Sequence, residues 1–261
     1  MNILVTLDSN YIYPLTVMLK SLMHNDKDSS FHLYVAHSSL TENDFAKIRQ
    51  SVDESRVEIH PIIIKASLLK GAPVLKRLTK ETYYRLLLCE FLPPDVDRIL
   101  YIDPDTVILK PLTDLYNIPM DNFVMAGAPH LFGFVNAINL ARLKMNKKSK
   151  YINAGVLLIN VELMRKTVTT DQIFKFIREN AKTLYLADQD VINALFDGKI
   201  LFLDARVYNL DEKTYKHYNR HINLDWVDRN TSIIHYNGSE KPWNPTYDGI
   251  LNPYFDYYKK L

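Results

Sequence analysis

The chain has 261 residues, 47% of them hydrophobic and 24% charged, with 32 basic residues against 30 acidic ones and a formal charge of +2. That balance excludes disordered and collagen-like classes and provides no strong basic field of the kind nucleic-acid binding needs, so any anion site must be local. The length suits one large α/β domain over 1–261 with a substantial core.

Cys89, the only cysteine, ends the apolar run Leu86-Leu87-Leu88-Cys89 and reads as an inert buried thiol. No disulfide framework is possible, which favours a reducing, cytoplasmic compartment. The opening segment Met1 to Asp8 lacks the basic region, long apolar core and cleavage site of a secretion signal, and no apolar run approaches the roughly 20 residues of a membrane span.

In chain order, Ile3 to Leu7 predicts a strand, and Ile12, Leu15, Met18, Leu19 and Leu22 share one face of a following helix. Phe31 to Ala36 is a second strand. Thr41 to Glu54 is a helix opened by Thr41 with Asp44 three residues on, close to a capping box. Val57 to Ile64 is a third strand, Glu81 to Phe91 a helix, and Arg98 to Ile102 a strand leading into Asp103-Pro104-Asp105. This alternation predicts a mostly parallel sheet with helices on both faces. Ligands bind beyond the carboxyl ends of such strands, where Asp8 and Asp103 both fall.

The second half is less regular. Phe123 to Ala128, Val156 to Asn160 and Ile200 to Leu203 read as strands, and Asp171 to Leu184 and Gln189 to Phe196 as helices, which makes the sheet mixed.

Asp-x-Asp occurs four times, at Asp26/Asp28, Asp95/Asp97, Asp103/Asp105 and Asp188/Asp190, so context must choose among them. Asp26-Lys27-Asp28 lies in a polar stretch and reads as a solvated turn, and Asp95-Val96-Asp97 follows two prolines and reads as another. Asp103 and Asp105 stand between two apolar runs, where carboxylates at i and i+2 on extended backbone share a side and Pro104 restricts Asp103 to extended conformations. By itself this pair is as compatible with a plain turn as with a metal site. His235 follows the strand-like Ser232-Ile233-Ile234; Gly238 offers backbone N–H groups close approach to a phosphate, and Lys241 a point charge suited to a pyrophosphate. One imidazole and two carboxylates suit Mn²⁺, with Mg²⁺ as the alternative.

Four ordered motifs, Tyr101-Ile102-Asp103-Pro104-Asp105, Asn153 to Asn160, Asp188-Gln189-Asp190 and His235 to Trp243, give the chain its identity. Together they resemble the family 8 glycosyltransferases, retaining enzymes that include glycogenin and bacterial lipopolysaccharide galactosyl- and glucosyltransferases. The resemblance implies a GT-A fold with a nucleotide-binding half over 1–110 and an acceptor and sugar half over 111–261. It implies that Asp103, Asp105 and His235 bind Mn²⁺ and that the ion bridges the diphosphate of a UDP-sugar, UDP-glucose or UDP-galactose.

The same resemblance assigns donor contacts to Thr6, Asp8, Asn10, Tyr11, Arg85, Asp103, Pro104, Asn153, Asp188, Gln189, Gly238 and Lys241. Asp8, Asn10 and Tyr11 would hold the uracil, Tyr11 by stacking, which suits an aromatic face beside amide-type hydrogen bonders. Arg85, Asp188 and Gln189 would be catalytic, with Gln189 near the anomeric carbon, whereas Asp190 reads as a helix-start residue. A neutral amide is a poor nucleophile, so front-face attack with the departing phosphate taking the acceptor proton is the expected route. Some relatives carry an acidic residue where this chain reads Ala128-Pro129-His130, which leaves the carbohydrate-type acceptor, glycan, lipid-linked or protein-linked, unassigned.

Lys144 to Lys150 reads as a solvated loop or a flap over the donor. The end, Tyr254 to Leu261, reads as a final helix, although its aromatics and lysines also suit peripheral contact with the inner face of a membrane. His217 and His221 share i, i+4 spacing without the Glu of a zincin pattern. Two rival functions are a sugar-nucleotide nucleotidyltransferase, disfavoured because Leu7-Asp8-Ser9-Asn10 holds no glycine, and a non-catalytic UDP-sugar-binding protein.

Overall fold

The computed structural model describes residues 1–73, 80–130 and 132–261, with Lys80, Glu81 and Thr82 described as backbone alone. In chain order the elements are β1 (Asn2–Thr6), α1 (Ile12–Asn25), β2 (Phe31–His37), α2 (Glu42–Arg49), β3 (Val57–Ile63), α3 (Lys80–Leu86), β4 (Arg98–Ile102) and β5 (Thr106–Ile108). They continue with α4 (Thr113–Tyr116), β6 (Met125–Pro129), α5 (Gly133–Arg142), β7 (Ile152–Asn160), α6 (Val161–Thr167), α7 (Thr170–Asn180) and α8 (Ala187–Leu195). The chain closes with β8 (Ile200–Phe202), α9 (Ala205–Tyr208), α10 (Glu212–His217), α11 (Leu224–Asn230), β9 (Ile233–His235) and α12 (Asn252–Tyr258).

Among the described residues the main sheet has seven strands in the order β3-β2-β1-β4-β7-β6-β8, and β5 and β9 form a separate pair. β1 pairs in parallel with β2 and β4, whereas β7 runs antiparallel to β4 and β6, so the sheet is mixed and mostly parallel. Both faces are covered, which explains the continuous apolar runs: Ile3 and Val5 pack into one buried cluster and Leu4, between them, into another.

Two registers set up the functional region. The β4–β7 ladder continues past its last pair, Ile102 with Val156, into a hydrogen bond from Asp103 N to the Gly155 carbonyl at 2.7 Å. In the smaller sheet Thr106 pairs with His235, and Tyr236 N donates to the Asp105 carbonyl at 3.0 Å. Segments more than a hundred residues apart therefore meet at Asp103 and Asp105.

Several sequence expectations need correction. The helix expected to reach Glu54 ends at Arg49, although Thr41 and Asp44 do form a capping box. The helix expected from Glu81 to Phe91 stops at Leu86, and a 3₁₀ turn over Leu88–Glu90 takes its place. The strand expected at Val156 begins four residues earlier at Ile152, which brings Asn153, Ala154 and Gly155 into the sheet. Asp26 is not solvated: it is 1% exposed, closes α1, and accepts from Ser29 N at 3.1 Å. Residues 103–105 are a bend rather than extended strand, closed by Thr106 Oγ1 donating to the Asp103 carbonyl at 3.0 Å.

The Lys144 to Lys150 loop is tied down, with Asn146 N donating to Asp197 Oδ2 at 2.6 Å and the Ser149 hydroxyl bonded to the same carboxylate, and it does not line the cleft at Asp103 and Asp105. The final helix expected over Tyr254 to Leu261 is present but runs over Asn252–Tyr258, anchored by buried Phe255 and by Tyr258, whose hydroxyl accepts from Asn25 Nδ2 at 2.7 Å. No helix among the described residues is long and apolar enough to cross a membrane.

Candidate active site

A cleft of about 440 Å³ opens where β4 and β9 end and β7 begins, lined by residues that include Asp103, Asp105, His235, Arg85, Asp188 and Lys241. One carboxylate oxygen from each of Asp103 and Asp105 and one ring nitrogen of His235 lie within 4.8 Å of one another. His235 Nε2 is 3.3 Å from Asp105 Oδ1 and 3.8 Å from Asp103 Oδ2.

The other ring nitrogen, Nδ1, lies 2.9 Å from Asn209 Oδ1, while Asn209 Nδ2 donates to Asn153 Oδ1 at 3.0 Å. With its amide nitrogen donating to Asn153, Asn209 presents an acceptor to His235, which places one imidazole proton on Nδ1 and leaves Nε2, facing the carboxylates, as the nitrogen that would give up its proton to bind an ion. The cradle is also sterically exclusive: a Cβ on Gly155 would lie 2.2 Å from His235 Cε1 and 2.6 Å from Asp103 Oδ2. Donor set, tautomer and spacing all fit a divalent cation.

Charge inside the cleft is compensated in detail. Burial penalises Asp105, yet His235 and Lys241, the latter donating to Asp105 Oδ2 at 2.6 Å, hold its carboxyl well below the usual range. Burial alone would lower the His235 pKa, and the two aspartates override it and raise it. Arg85 is likewise buried, and the paired negative charges of Asp103 at 3.0 Å and Asp188 at 2.8 Å keep it charged. Its guanidinium also donates to the Ala154 carbonyl at 2.8 Å and lies 4.5 Å over the Tyr101 ring. Burial raises the Asp188 pKa against the pull of Arg85.

Asp188 and Gln189 are delivered by an uncommon backbone. Ala187 at the start of α8 has φ +49°, a left-handed conformation that a non-glycine residue adopts at some cost. Gln189 Oε1 accepts from Asn153 Nδ2 at 3.1 Å and from Ala154 N at 3.2 Å. Tyr11 reaches the cleft and meets Trp243 edge-on at 6.0 Å.

Other sequence-assigned residues stand further back. The Thr6 hydroxyl is 2.9 Å from the Tyr101 hydroxyl, which itself donates to Asp103 Oδ1 at 2.6 Å, so Thr6 supports a carboxylate from behind. Asp8 is engaged with Asn10, accepting from its backbone N at 2.9 Å and its side-chain amide at 3.2 Å. Pro104 is buried in the bend, and Gly238 lines a neighbouring cleft that shares His235 and Asn237 with this one. Nothing in the fold requires glycine at 238, where an added Cβ would meet only the Glu240 carbonyl at 3.7 Å.

Asp190 is more than a helix-start residue. It is fully buried and accepts from Arg142 at 2.7 and 2.8 Å, from the Tyr151 hydroxyl at 2.6 Å, and from the N–H groups of Tyr185 and Leu186. The sequence marks Tyr101 and Gly155 as motif members without showing a role for either, and it does not mark Asn209 or Asp211. Asp211 caps α10 and lies 3.4 Å from His130, which lines the cleft. Asn209 stands one place before Leu210, whose isolated bridge to Ile234 brings it beside His235, and no local sequence signal marks it.

A nucleotide-type α/β sheet with a carboxylate-imidazole cluster at its strand ends defines a class of enzymes that handle anionic donors. The family model for glycosyl transferase family 8 matches residues 2–246, and the chain belongs to that family of glycosyltransferases. General stress protein A of Bacillus subtilis (strain 168) is 26% identical over 99% of this chain and 91% of its own length. Lipopolysaccharide 1,2-glucosyltransferase of Escherichia coli (strain K12) is 24% identical over 99% of this chain and 76% of its own. A crystal structure of the galactosyltransferase LgtC in complex with donor and acceptor sugar analogs superposes with a TM-score of 0.86 at 26% identity, covering 100% of this chain and 95% of that one, and carries the GT-A fold.

Proposed function

We propose that this glycosyltransferase moves glucose or galactose from a UDP-sugar to a carbohydrate-type acceptor with retention at the anomeric carbon, using Mn²⁺, or Mg²⁺ in its place, held by Asp103, Asp105 and His235. The observation that carries the reading is the charge balance of the cleft. Asp103, Asp105 and Asp188 are matched by Arg85, Lys213 and Lys241, so with His235 neutral, as an ion's ligand must be, the frame acquires two positive charges with a divalent ion and then matches the two negative charges of a sugar diphosphate. The ion supplies, when bound, positive charge beside the leaving diphosphate.

This chain's own residues do the rest. Tyr11 offers a face for the uracil, with Asp8 and Asn10 at its edge, and the Gly238 backbone and Lys241 face the diphosphate. Asp188, held by Arg85, accepts from donor-sugar hydroxyls. Gln189 directs its carbonyl oxygen at two donors in β7, which leaves it ill suited to attack carbon, so front-face attack is favoured and the acceptor proton passes to the departing phosphate oxygen. The lipopolysaccharide-modifying relatives favour a cytoplasmic enzyme whose acceptor is presented at a membrane face.

Incubation with UDP-glucose or UDP-galactose and no acceptor tests the reading. Slow release of UDP and free hexose that requires Mn²⁺ is expected; equal rates with and without the metal would overturn the metal-diphosphate arrangement. Pyrophosphate release from UTP and a hexose 1-phosphate, with no UDP released from the UDP-sugar, would instead mark a nucleotidyltransferase, a reading the family membership already disfavours.

A further inference from the structure

A second group of potential ligands lies on β2 and β3, toward the opposite end of the parallel strands from the cleft. The register pairs His32 with Glu58 and Tyr34 with His60, so His32, Glu58 and His60 project from one face of the sheet's edge. His32 Nδ1 is 3.2 Å from His60 Nε2 and 3.2 Å from Glu58 Oε2, and His60 Nε2 is 3.7 Å from Glu58 Oε1. Ligands about 2.0–2.2 Å from a tetrahedral Zn²⁺ stand about 3.3–3.6 Å apart, so the three side chains already have the bite of one face of such a site.

The arrangement is preorganised by packing. His60 stacks on the buried Tyr34 ring at a centroid distance of 4.7 Å and an interplanar angle of 17°, and His32 stacks on His60 at 5.4 Å. Pro61 follows on β3, an edge strand where the missing N–H costs no ladder bond. Nothing in the donor cleft uses these residues.

We propose that His32, Glu58 and His60 form a second cation site that binds a borderline transition metal, Zn²⁺, Ni²⁺ or Cu²⁺, with water completing the shell, and that the bound ion staples β3 to β2. Two imidazoles and one carboxylate select nitrogen-seeking ions, whereas the two carboxylates and one imidazole in the cleft suit Mn²⁺, so the two sites differ in preference. For binding, both rings must place the ligand nitrogen's lone pair toward the ion and carry their proton on the other nitrogen.

The test uses the full chain, free of any affinity tag, with the cleft disabled by Asp105→Asn. Calorimetric titration with ZnCl₂ is expected to show one site, and added Zn²⁺ to raise the melting temperature. His60→Phe, which keeps a ring on Tyr34, and separately His32→Ala, each weaken Zn²⁺ binding at least about tenfold and abolish the thermal shift. In the same background Cu²⁺ shows electron paramagnetic resonance couplings to two imidazole nitrogens, reduced to one by either substitution. Zn²⁺ binding that is absent in Asp105→Asn, or unchanged by both histidine substitutions, would overturn the proposal. His60→Phe on the otherwise unaltered chain leaves Mn²⁺-supported turnover unchanged if the sites are independent; a parallel loss of turnover would overturn that independence and with it the second site.

Discussion

Asn209 fixes the working face of His235: its side-chain oxygen lies 2.9 Å from His235 Nδ1, which turns Nε2 toward Asp103 and Asp105. The bridge between Leu210 and Ile234, with His235 N donating to the Leu210 carbonyl at 2.8 Å, carries Asn209 into place. Asn209→Leu keeps the approximate volume and removes the acceptor. Mn²⁺ affinity, measured by calorimetry, is expected to fall about 10–100-fold, the range for lost partners behind a metal ligand. Stability falls as well, by about 1–3 kcal/mol, because two buried polar atoms lose a partner. An unchanged Mn²⁺ affinity would show that His235 is oriented by something else.

Gly155 and Gly238 make a matched pair for substitution. At Gly155 an added Cβ would collide with His235 and Asp103, so Gly155→Ala must displace a ligand and is expected to weaken Mn²⁺ binding at least about tenfold. Gly238→Ala makes only an ordinary contact with the Glu240 carbonyl, at 3.7 Å, and should leave melting temperature and Mn²⁺ affinity unaltered. Its effect belongs to the nucleotide: if the backbone approaches the diphosphate closely, UDP affinity alone declines. The opposite ranking, with 238 controlling metal and 155 silent, would contradict the cradle.

Much of this architecture is legible in the chain because parallel strands buried on both faces leave long apolar runs, and the sharp ends of those runs mark Asp103 and His235. The strand containing Asn153 to Gly155 was read four residues short, since its first half is polar or small and owes its place to pairing with Pro129 across β6. The burial of Asp26, and that of Asp190, which does stand in the first turn of α8, escape the sequence for a related reason. Local composition predicts solvation or helix capping, whereas burial at both positions is imposed by partners far along the chain, Leu112 for one and Arg142 for the other. Asn209 was invisible because its role depends on a bridge between two irregular segments.

Asp190 also gives a pH prediction. Burial penalises its charge, but Arg142, Tyr151 and the Leu186 N–H together hold its pKa below the ordinary aspartate value. A depressed pKa contributes stability that is complete above the unfolded value, about 3.9, and is lost as pH falls through the lower folded value. Asp190→Asn leaves Arg142 without its counter-charge and should cost about 3–5 kcal/mol at neutral pH. Chemical denaturation of both proteins is expected to show that gap constant above about pH 5 and narrowing below pH 4. A gap that stays constant into acid would mean that the carboxylate's charge is not what stabilises the first turn of α8.

Arg85 ties Asp103 to Asp188 across the cleft, since a single guanidinium reaches both carboxylates and the Ala154 carbonyl at once. A lysine carries the same charge on a point donor and cannot span the three in a fixed plane. In Arg85→Lys one aspartate loses its partner, and because Asp188 is buried its carboxyl, already raised, rises further and takes up a proton nearer neutrality. Two readouts separate this role from simple folding. Turnover with a UDP-sugar should fall on the order of a hundredfold, as expected when reacting groups are misplaced by about 1 Å, while Mn²⁺-dependent UDP binding weakens much less. The pH profile of the residual activity should also shift its acid limb upward, as Asp188 must then be deprotonated at greater cost. Equal losses in UDP binding and turnover, with no change in the profile, would assign Arg85 to binding alone.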